Sequence, residues 1–298
     1  MNELVYSAGQ FRPAAAASVS VFDHGLLYGD GVFEGIRAYN GRVFKLEQHI
    51  DRLFDSALAI RLTMPLSREA LADLVLEACR QNDIADGYIR LVVTRGAGDL
   101  SVDPTSCQRP EVVVIVKRGL TLYARKRTTG VAVVTSSFRR NPPDASSPAI
   151  KSLNYLNNVL ARIEANDRGA DEALLLDHSG YVAEATVDNV FIVTARGLMT
   201  PPTATNLKGI TRETIIELAR ARGMTVEERP FTVFDVWTSR EAFICGTAAE
   251  VVPIASVDGR TIGSGTVGPI TQRLIDAYAD FVRSSGTPIQ AEMVAQRA

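Results

Sequence analysis

Strand-like runs and amphipathic helical stretches alternate irregularly along the chain, and this pattern most constrains the fold. Residues 88–96 read as an apolar strand, whereas residues 67–82 read as a helix with an apolar stripe. Irregular alternation without an internal repeat is typical of α+β domains, and a chain of 298 residues is long enough to form two of them. We therefore predict an α+β domain at residues 1–118, a connecting loop at 119–125 and a second domain at 126–298.

Several local signals place individual elements within this frame. Asn40-Gly41 stands between two alternating apolar arms and predicts a tight β-hairpin. Ser67 is the expected N-cap of the helix at 67–82, and Thr211 lies near the start of another helix that Gly223 should end. The helix that begins after residue 45 has an approximate buried stripe, made of Leu46, Ile50, Leu53, Leu58 and Ile60.

Charge and composition exclude several classes of function. A net charge of −2 gives no reason to expect nucleic acid or an anionic membrane as a partner. The three cysteines are far apart and form no CxxC, so we expect reduced thiols in a cytoplasmic protein and no structural zinc site or other metal. The N-terminal segment lacks the pattern of a signal peptide, and no apolar run is long enough to span a membrane.

Lys151 is the residue that raises the question of chemistry. The chain has few lysines (Lys45, Lys117, Lys126, Lys151 and Lys208) and uses arginine almost everywhere else. Unlike a guanidinium, an amine can lose its proton and add to a carbonyl, so Lys151 is a candidate Schiff-base lysine. A lone loop lysine is most often only solvent exposed. Here, however, Tyr155 follows at i+4 on the expected first turn of a helix, whose buried stripe should comprise Leu153, Leu156, Leu160 and Ile163.

A lysine paired with a phenol suits pyridoxal 5′-phosphate (PLP), and PLP has further requirements. Its ring nitrogen needs a carboxylate, for which Glu184 in an apolar strand is a candidate. Its phosphate needs helix-start amides, hydroxyls and usually an arginine, for which residues 209–211, residues 246–250 and Arg52 are candidates. Each of these has a plainer interpretation when taken alone: a surface acid, an N-cap, a tight turn and a solvated arginine.

Taken in order, these stretches resemble the class IV aminotransferases, which are fold-type IV PLP enzymes, and most closely the branched-chain amino-acid aminotransferases. The resemblance runs from about residue 3 to about residue 282. It is carried by six motifs: FDHGLLYGDGVFEGIRAYNG, HIDRLFDSA, YIRLVVTRGAGDL, KSLNYLNNVLAR, GITRETIIELA and GTAAEVVPI. It implies the two-domain fold of aminodeoxychorismate lyase and D-amino acid aminotransferase, with a small N-terminal α+β domain and a larger C-terminal α/β domain.

The resemblance also implies roles for individual residues. Lys151 matches the catalytic lysine that forms the Schiff base, Tyr155 the tyrosine at the ring oxygen O3′, and Glu184 the partner of the ring nitrogen. The phosphate ligands are matched by Arg52, Ile210, Thr211 and Thr247. Residues around the substrate are matched by Tyr28, Phe33, Tyr88, Arg90, Tyr123, Thr247 and Ala248. In the family the loop GAGDLSVDP reaches the neighbouring subunit's site, which implies at least a homodimer.

The function implied is transfer of the amino group of L-leucine, L-isoleucine or L-valine to 2-oxoglutarate, with amino acids and 2-oxo acids as partners. Two residues depart from the expected pattern, Leu91 in place of proline and Ser101 in place of glycine, and both are expected near the substrate pocket. They leave open a D-amino acid transaminase, an (R)-amine transaminase or an aminodeoxychorismate lyase. From another class, the alternative is a non-catalytic PLP-binding protein.

Overall fold

The computed structural model describes residues 3–119 and 122–290. The helices are α1 (His24–Tyr28), α2 (Leu46–Ala59), α3 (Arg68–Gln81), α4 (Pro143–Ser146), α5 (Leu156–Asp167), α6 (Ile210–Arg220), α7 (Val233–Trp237) and α8 (Pro269–Ser284). The strands are β1 (Leu4–Ser7), β2 (Gln10–Pro13), β3 (Gly31–Tyr39), β4 (Arg42–Val43), β5 (Gly87–Thr94), β6 (Glu111–Arg118), β7 (Val131–Arg139), β8 (Glu172–Leu176), β9 (Val182–Ala185), β10 (Asn189–Thr194), β11 (Gly197–Thr200), β12 (Val226–Glu228), β13 (Glu241–Gly246), β14 (Glu250–Val257), β15 (Arg260–Thr261) and β16 (Thr287–Pro288).

The described chain divides into two compact units. The first comprises the described residues up to 119, Lys151–Asn154 and the described residues from Phe281 on. The second comprises the described residues from 122 to Ile150 and Tyr155–Asp280. The predicted division differs, because it placed Lys151–Asn154 and the segment after Phe281 in the second domain. Residues 1–2, 120–121 and 291–298 of the predicted domains and loop lie outside the described residues.

The first unit is built on one sheet with the strand order β16-β4-β3-β5-β6-β1-β2. The β3–β4 hairpin is confirmed, and both of its turn residues have the positive φ that a type I′ turn requires, 49° at Asn40 and 74° at Gly41. Helices α2 and α3 supply the apolar side chains that cover the sheet. The N-cap of α3 is also confirmed, because the amide of Ala70 donates to Ser67 Oγ at 3.2 Å.

The second unit contains a larger mixed sheet with the order β12-β11-β10-β13-β14-β7-β8-β9, and β15 pairs with β14. The parallel pairs β14–β7 and β7–β8 lie toward the β9 edge, and the antiparallel pairs β13–β14 and β8–β9 flank them. Strand β9 forms one edge, yet all four of its residues are buried. The strands predicted between residues 172 and 194 are confirmed as β8, β9 and β10.

The predicted buried faces of two helices, α2 and α5, are wrong in part or in whole. In α2, Leu58 is 77% exposed, although Leu46, Ile50 and Leu53 are buried as predicted. In α5, the expected stripe points outward, with Leu156 68% and Ile163 49% exposed. The buried face of α5 is instead made of Asn158, Ala161 and Ala165. Small side chains allow this helix to lie close to β7 and β8, so its larger aliphatic residues remain on the other side.

Glu241 stabilises the start of α8 in the second unit. Its Oε1 accepts from the amide of Ile270 at 3.0 Å, and its Oε2 accepts from the amide of Thr271 at 2.7 Å. The first amides of a helix lack partners within the helix, so a carboxylate at this position satisfies two of them and meets the positive end of the helix dipole.

We expect Glu241→Ala to lower the free energy of unfolding by about 1–3 kcal/mol, because it leaves buried amides without acceptors. Urea unfolding of the two proteins measures this difference. The control is Glu47→Ala, since Glu47 is an exposed acid in the first turn of α2. Its effect should stay within about 0.5 kcal/mol. Equal losses in both variants would contradict this role of Glu241.

Candidate active site

Lys151 lies on a short extended segment that binds to strand β3 of the first unit. The amide of Phe33 donates to the carbonyl of Lys151 at 3.0 Å, and Leu153 donates to Gly31 at 2.9 Å. On its other side, the Lys151 amide donates to Ser56 Oγ of α2 at 3.1 Å. Helix α5 begins only at Leu156, so Tyr155 is its N-cap residue and does not lie on the first turn as predicted. The main chain of Lys151 is fixed by a strand and a helix of the first unit.

The first unit brings together four of the predicted site residues: Lys151, Phe33, Arg90 and Tyr88. The Lys151 Nζ atom lies 4.5 Å from the centre of the Phe33 ring, and the Arg90 guanidinium carbon lies 4.6 Å from the same centre. Arg90 Nη2 donates to the hydroxyl of Tyr88 at 2.9 Å, so both side chains lie on one face of β5, as their spacing predicts. A Cβ on Gly35 would lie 2.3 Å from that hydroxyl, so this position has room only for glycine.

Arg52 of α2 is bound to a buried carboxylate of β3. Glu34 Oε1 accepts from Arg52 Nε at 2.7 Å, and Glu34 Oε2 accepts from Arg52 Nη2 at 2.7 Å. His49 Nδ1 lies 2.7 Å from Glu34 Oε2. Burial would raise the pKa of Glu34, but the charge of Arg52 and the contacts of His49 outweigh it and lower that pKa to about 2. Burial also lowers the pKa of His49, and the charges of Arg52 and Lys151 act in the same direction.

Three further residues of the first unit were singled out in the sequence: Tyr28, and Leu91 and Ser101, which depart from the family pattern. The Tyr28 hydroxyl donates to the carbonyl of Leu100 at 2.6 Å and so holds the loop after β5. In that loop, Ser101 Oγ accepts from the amide of Asp103 at 3.1 Å, which gives the serine a turn-forming role. Leu91 is fully buried among the apolar side chains of the first unit's core. Leu91 therefore faces away from Tyr88 and Arg90, because alternate residues of a strand face opposite sides.

In the second unit, Glu184 is buried on β9 and held by groups distant in sequence. Its Oε1 accepts from Arg140 Nε at 2.6 Å, and its Oε2 accepts from the amide of Leu207 at 3.1 Å. The side-chain amide of Asn189 lies 3.5 Å from Oε2. A carboxylate can accept about four hydrogen bonds, so Glu184 is oriented and can still accept another donor.

The start of α6 and the β13–β14 turn meet at two consecutive polar residues, Asp188 and Asn189. A Cβ on Gly209, the N-cap of α6, would lie 1.9 Å from Asn189 Oδ1. A Cβ on Gly246 would lie 2.0 Å from Asp188 Oδ1. Both glycines are therefore required by close approach. No side chain caps α6 at Gly209, so its first amides, at Ile210 and Thr211, are suited to an anion.

The turn with Thr247 and Ala248 is linked to Tyr123. The carbonyl of Ala248 accepts from the amide of Leu122 at 3.1 Å. The hydroxyl of Tyr123 then donates to Glu172 Oε2 at 2.6 Å. Burial raises the pKa of Tyr123, and the charges of Glu172 and Asp188 raise it further, so the phenol remains a donor.

Two of these buried groups, Arg140 and Glu172, were not found by sequence reasoning, and neither were Glu34 and His49. Arg140 follows another arginine before a proline-rich loop and gives no periodic signal. Glu172 is fully buried, and its Oε1 accepts from Thr186 Oγ1 at 2.6 Å. The one usable signal was an acid within an otherwise apolar strand, which is shared by Glu34, Glu172 and Glu184.

Residues 31–257 match the family described as amino-transferase class IV. The chain belongs to this family. The family resemblance and the α+β fold predicted from the motifs are thereby confirmed. Among the described residues, no group of three or more His, Cys, Asp or Glu side chains could hold a metal ion. Within those same residues, none of the helices has both the length and the apolar character needed to cross a bilayer.

Several relatives match this class IV aminotransferase over nearly its full length. A protein of Methanocaldococcus jannaschii, named provisionally as a branched-chain-amino-acid aminotransferase, is 50% identical over 289 residues, covering 97% of this chain and 99% of the relative. The branched-chain-amino-acid aminotransferase of Pseudomonas aeruginosa is 40% identical over 294 residues, covering 97% and 95%. The crystal structure of the branched-chain amino acid aminotransferase of Thermobaculum terrenum, in its PLP-bound form, has a TM-score of 0.85 at 32% identity, covering 95% and 94%.

The buried Glu34 carboxylate makes the stability of this aminotransferase depend on pH in a defined direction. Its pKa is about 2 in the folded protein and about 4.3 in an unfolded chain. The pKa is depressed on folding, so the stabilisation is present above about pH 4.3 and is lost as the pH falls toward 2. A shift of this size corresponds to about 3 kcal/mol.

We expect Glu34→Gln to be less stable than the parent at pH 7, and the difference to narrow as the pH is lowered from about 4.5 toward 3. Glutamine is neutral throughout, so it resembles the protonated acid. Urea unfolding of both proteins at pH 7, 5, 4 and 3 measures the difference. A stability difference that stays constant across this range would show that Glu34 is not ionised with a depressed pKa.

Proposed function

We propose that the protein is a PLP-dependent transaminase that moves the amino group of L-leucine, L-isoleucine or L-valine to 2-oxoglutarate. One observation carries the proposal: Lys151, the lysine of the family motif, has its main chain fixed on both sides and its amine against the Phe33 ring beside Arg90. The named relatives favour the branched-chain substrates over the alternatives left open by the sequence.

The donor set of the chain fits PLP. In the first unit, Lys151 would supply the amine and Arg52 a cation for the phosphate. In the second unit, Glu184 would meet the ring nitrogen, and the uncapped start of α6 at Ile210 and Thr211 would meet the phosphate. Tyr155, from its position before α5, and Thr247, from the β13–β14 turn, would add a phenol and a hydroxyl. When bound, PLP supplies an electron sink for the charge released at the substrate Cα.

The protein's own groups then have distinct tasks. Lys151 Nζ would be the base that takes the proton from the substrate Cα. Glu184, oriented by Arg140 and the Leu207 amide, would hold a proton on the ring nitrogen. The turn at Thr247 and Ala248 would receive the substrate α-carboxylate, with its position set by the Leu122 amide. Tyr28 and Tyr123 would line the space around the substrate.

Arg90 offers an explanation for dual substrate recognition, because the pocket must take both an aliphatic side chain and the second carboxylate of glutamate. An unpaired carboxylate in an apolar pocket is very costly, and Arg90 can pair with it. The partners of Arg90 are the Tyr88 hydroxyl and the rings of Phe33 and Tyr88. Among the ion pairs of the described residues, none joins Arg90 to a carboxylate, which supports a role in substrate recognition over a structural one.

The protein is proposed to act in the cytoplasm, with a homodimer as the smallest functional unit. Two features support this. Its three cysteines are free thiols, as in reducing compartments. The first unit also exposes large apolar side chains around α1 and in the loop after β5, at Val21, Phe22, Leu26, Leu100 and Val102. Apolar groups exposed at this density are typical of a surface that another chain covers.

We expect the purified protein to carry PLP on Lys151. Borohydride reduction followed by peptide mapping should place the pyridoxyl group on Lys151, because this lysine lies in the family motif. Lys151→Arg should abolish the label, since a guanidinium does not add to the aldehyde. Lys126→Arg is the matched control and should retain it, because Lys126 is paired with Asp171 at 3.0 Å in a surface ion pair. Label on another lysine, or none, would refute the assignment.

We expect Arg90→Met to weaken the reaction with acidic substrates and to leave the reaction with aliphatic substrates nearly unchanged. Methionine keeps much of the apolar stem and removes the charge. Half-reactions with glutamate and 2-oxoglutarate should weaken by about 1.5–3 kcal/mol, roughly ten- to a hundredfold. Half-reactions with leucine and its 2-oxo acid should change little, as measured by single-turnover kinetics. An equal fall in both classes would mean that Arg90 supports the site instead of recognising the substrate.

A further inference from the structure

Glu34 is a buried carboxylate for which the proposed reaction has no direct use. It is fully buried on β3 and binds two basic side chains of α2. Both of its oxygens accept from Arg52, through Nε and Nη2 at 2.7 Å each, and Oε2 also lies 2.7 Å from His49 Nδ1. This bidentate pairing engages one whole edge of the guanidinium and fixes its plane. Arg52 therefore has one orientation, although its side chain is long and flexible.

Stability alone is a poor explanation for this arrangement. A buried ion pair contributes little net stability compared with well-packed apolar residues of the same volume, because both charges lose their hydration. The first unit contains a second pair of this kind, in which Asp30 accepts from Arg95 Nε and Nη2 at 2.8 Å each. There the arginine also donates to the carbonyls of Ile60 and Arg61 just after α2, so its role is to hold the chain. The pairing of Arg52 with Glu34 instead sets the direction of a guanidinium on the same helix as Ser56, which binds the Lys151 amide.

The same strand and helix also hold Lys151. Ser56 lies one turn after Arg52 on α2, donates to the carbonyl of Arg52 at 2.8 Å, and accepts from the Lys151 amide. Phe33, next to Glu34 on β3, donates to the carbonyl of Lys151. The guanidinium of Arg52 and the main chain of Lys151 are thus fixed by the one junction of β3 and α2, and Glu34 is the buried charge at that junction.

We propose that Glu34, supported by His49, is a positioning residue for the cofactor phosphate: it fixes the guanidinium of Arg52 in the direction in which Arg52 meets that phosphate. This inference rests on the proposed function, in which Arg52 is a phosphate ligand. Glu34 acts through Arg52 and does not itself touch the cofactor. It belongs to the part of the site that is set before the cofactor binds.

Glu34 has two opposing effects on phosphate binding: its charge repels the phosphate, and its hydrogen bonds orient Arg52 toward it. The orienting effect is the larger. A carboxylate close to a phosphate repels it, so removal of the charge would by itself tighten binding. The Glu34 charge, however, is already compensated by Arg52 at 2.7 Å. Glutamine at this position would also turn an NH₂ group toward the N–H donors of Arg52 or His49, and would displace the guanidinium. We therefore expect Glu34→Gln to weaken phosphate binding.

The test compares two ligands that differ only in the phosphate. Cofactor-free parent and variants are titrated with PLP and with pyridoxal, which lacks the phosphate, and binding is followed by absorbance. Glu34→Gln should raise the Kd for PLP at least tenfold and change that for pyridoxal less than about twofold. Arg52→Ala should raise the Kd for PLP as well. In the Arg52→Ala background, the added Glu34→Gln change should not weaken PLP binding further, because Glu34 orients the phosphate contact only through Arg52.

Two further variants serve as controls. Asp30→Asn breaks the other bidentate pair, in which Asp30 is half-buried, and should leave the Kd for PLP unchanged, whatever it does to stability. His49→Gln keeps the Glu34–Arg52 pair and removes one restraint, so the Kd for PLP should rise about threefold and that for pyridoxal should not. This variant also tests the proposal if Glu34→Gln does not fold.

The outcomes separate this inference from the proposed function. An unchanged or lower Kd for PLP in Glu34→Gln, with a raised Kd in Arg52→Ala, would overturn the positioning role alone. Equal weakening of PLP and pyridoxal would also overturn it, because Glu34 would then support the whole site. A parent protein that binds no PLP would refute the proposed function itself. Normal PLP binding by Arg52→Ala would refute the phosphate role of Arg52, and the positioning role of Glu34 with it.

Discussion

The pairing of the Lys151 segment with strand β3 is the interaction on which the chemistry of the first unit depends. Each residue of β3 is buried, so the strand is a rigid support. The hydrogen bonds of Phe33 and Gly31 to this segment fix the lysine to that support without using any of its side-chain atoms. The main chain positions the residue, and its amine lies 4.5 Å from the centre of the Phe33 ring. This explains why Lys151–Asn154 belong with the first unit although the residues before and after this segment belong to the second.

The second unit positions its groups through buried polar side chains at strand ends. Asp188 and Asn189, at the start of β10, lie against the glycines that begin α6 and end β13. Asn189 also donates to the carbonyl of Leu207, next to the amide that binds Glu184. The acid expected at the ring nitrogen and the amides expected at the phosphate are therefore set by one short stretch of chain. A change in that stretch would move both ends of the expected cofactor contacts together.

The sequence was sufficient to predict those elements that depend on the backbone preferences of a few adjacent residues. The Asn40-Gly41 hairpin, the Ser67 cap and the start of α6 follow from the backbone preferences of single residues, and the structure has them. The outward stripe of α5 could not be predicted, because its orientation is set by the close approach of Ala161 and Ala165 to a sheet, and burial of large side chains is only an average rule.

The partners of the buried charges could not be predicted for a related reason. Arg140 is 44 residues from Glu184, and Tyr123 is 49 residues from Glu172, so no periodicity links them. Sequence reasoning could mark an isolated acid in an apolar strand as unusual. It could not say which cation or hydroxyl would satisfy it, because that choice is made by the sheet order. The burial of Leu91 could not be predicted for the same reason, because the fold of the sheet decides which face of β5 meets the core, and both neighbours of Arg90, Ile89 and Leu91, lie on that face.

The two arginines of the first unit's site are held in opposite ways, and the difference matches the ligands proposed for them. Arg52 is bound along one edge by the carboxylate of Glu34, which fixes its direction and offsets its charge. That suits a phosphate that is the same in each turnover. Arg90 is held by a phenol and two aromatic rings, which fix its plane weakly and leave its charge uncompensated. A cation held in this way can pair with a second carboxylate when the substrate brings one. When the substrate is aliphatic, the ring of Phe33 and the stem of Arg90 offer apolar surface instead. Neutral partners are therefore what a pocket with two kinds of substrate requires, because a carboxylate partner would compete with glutamate for the same guanidinium.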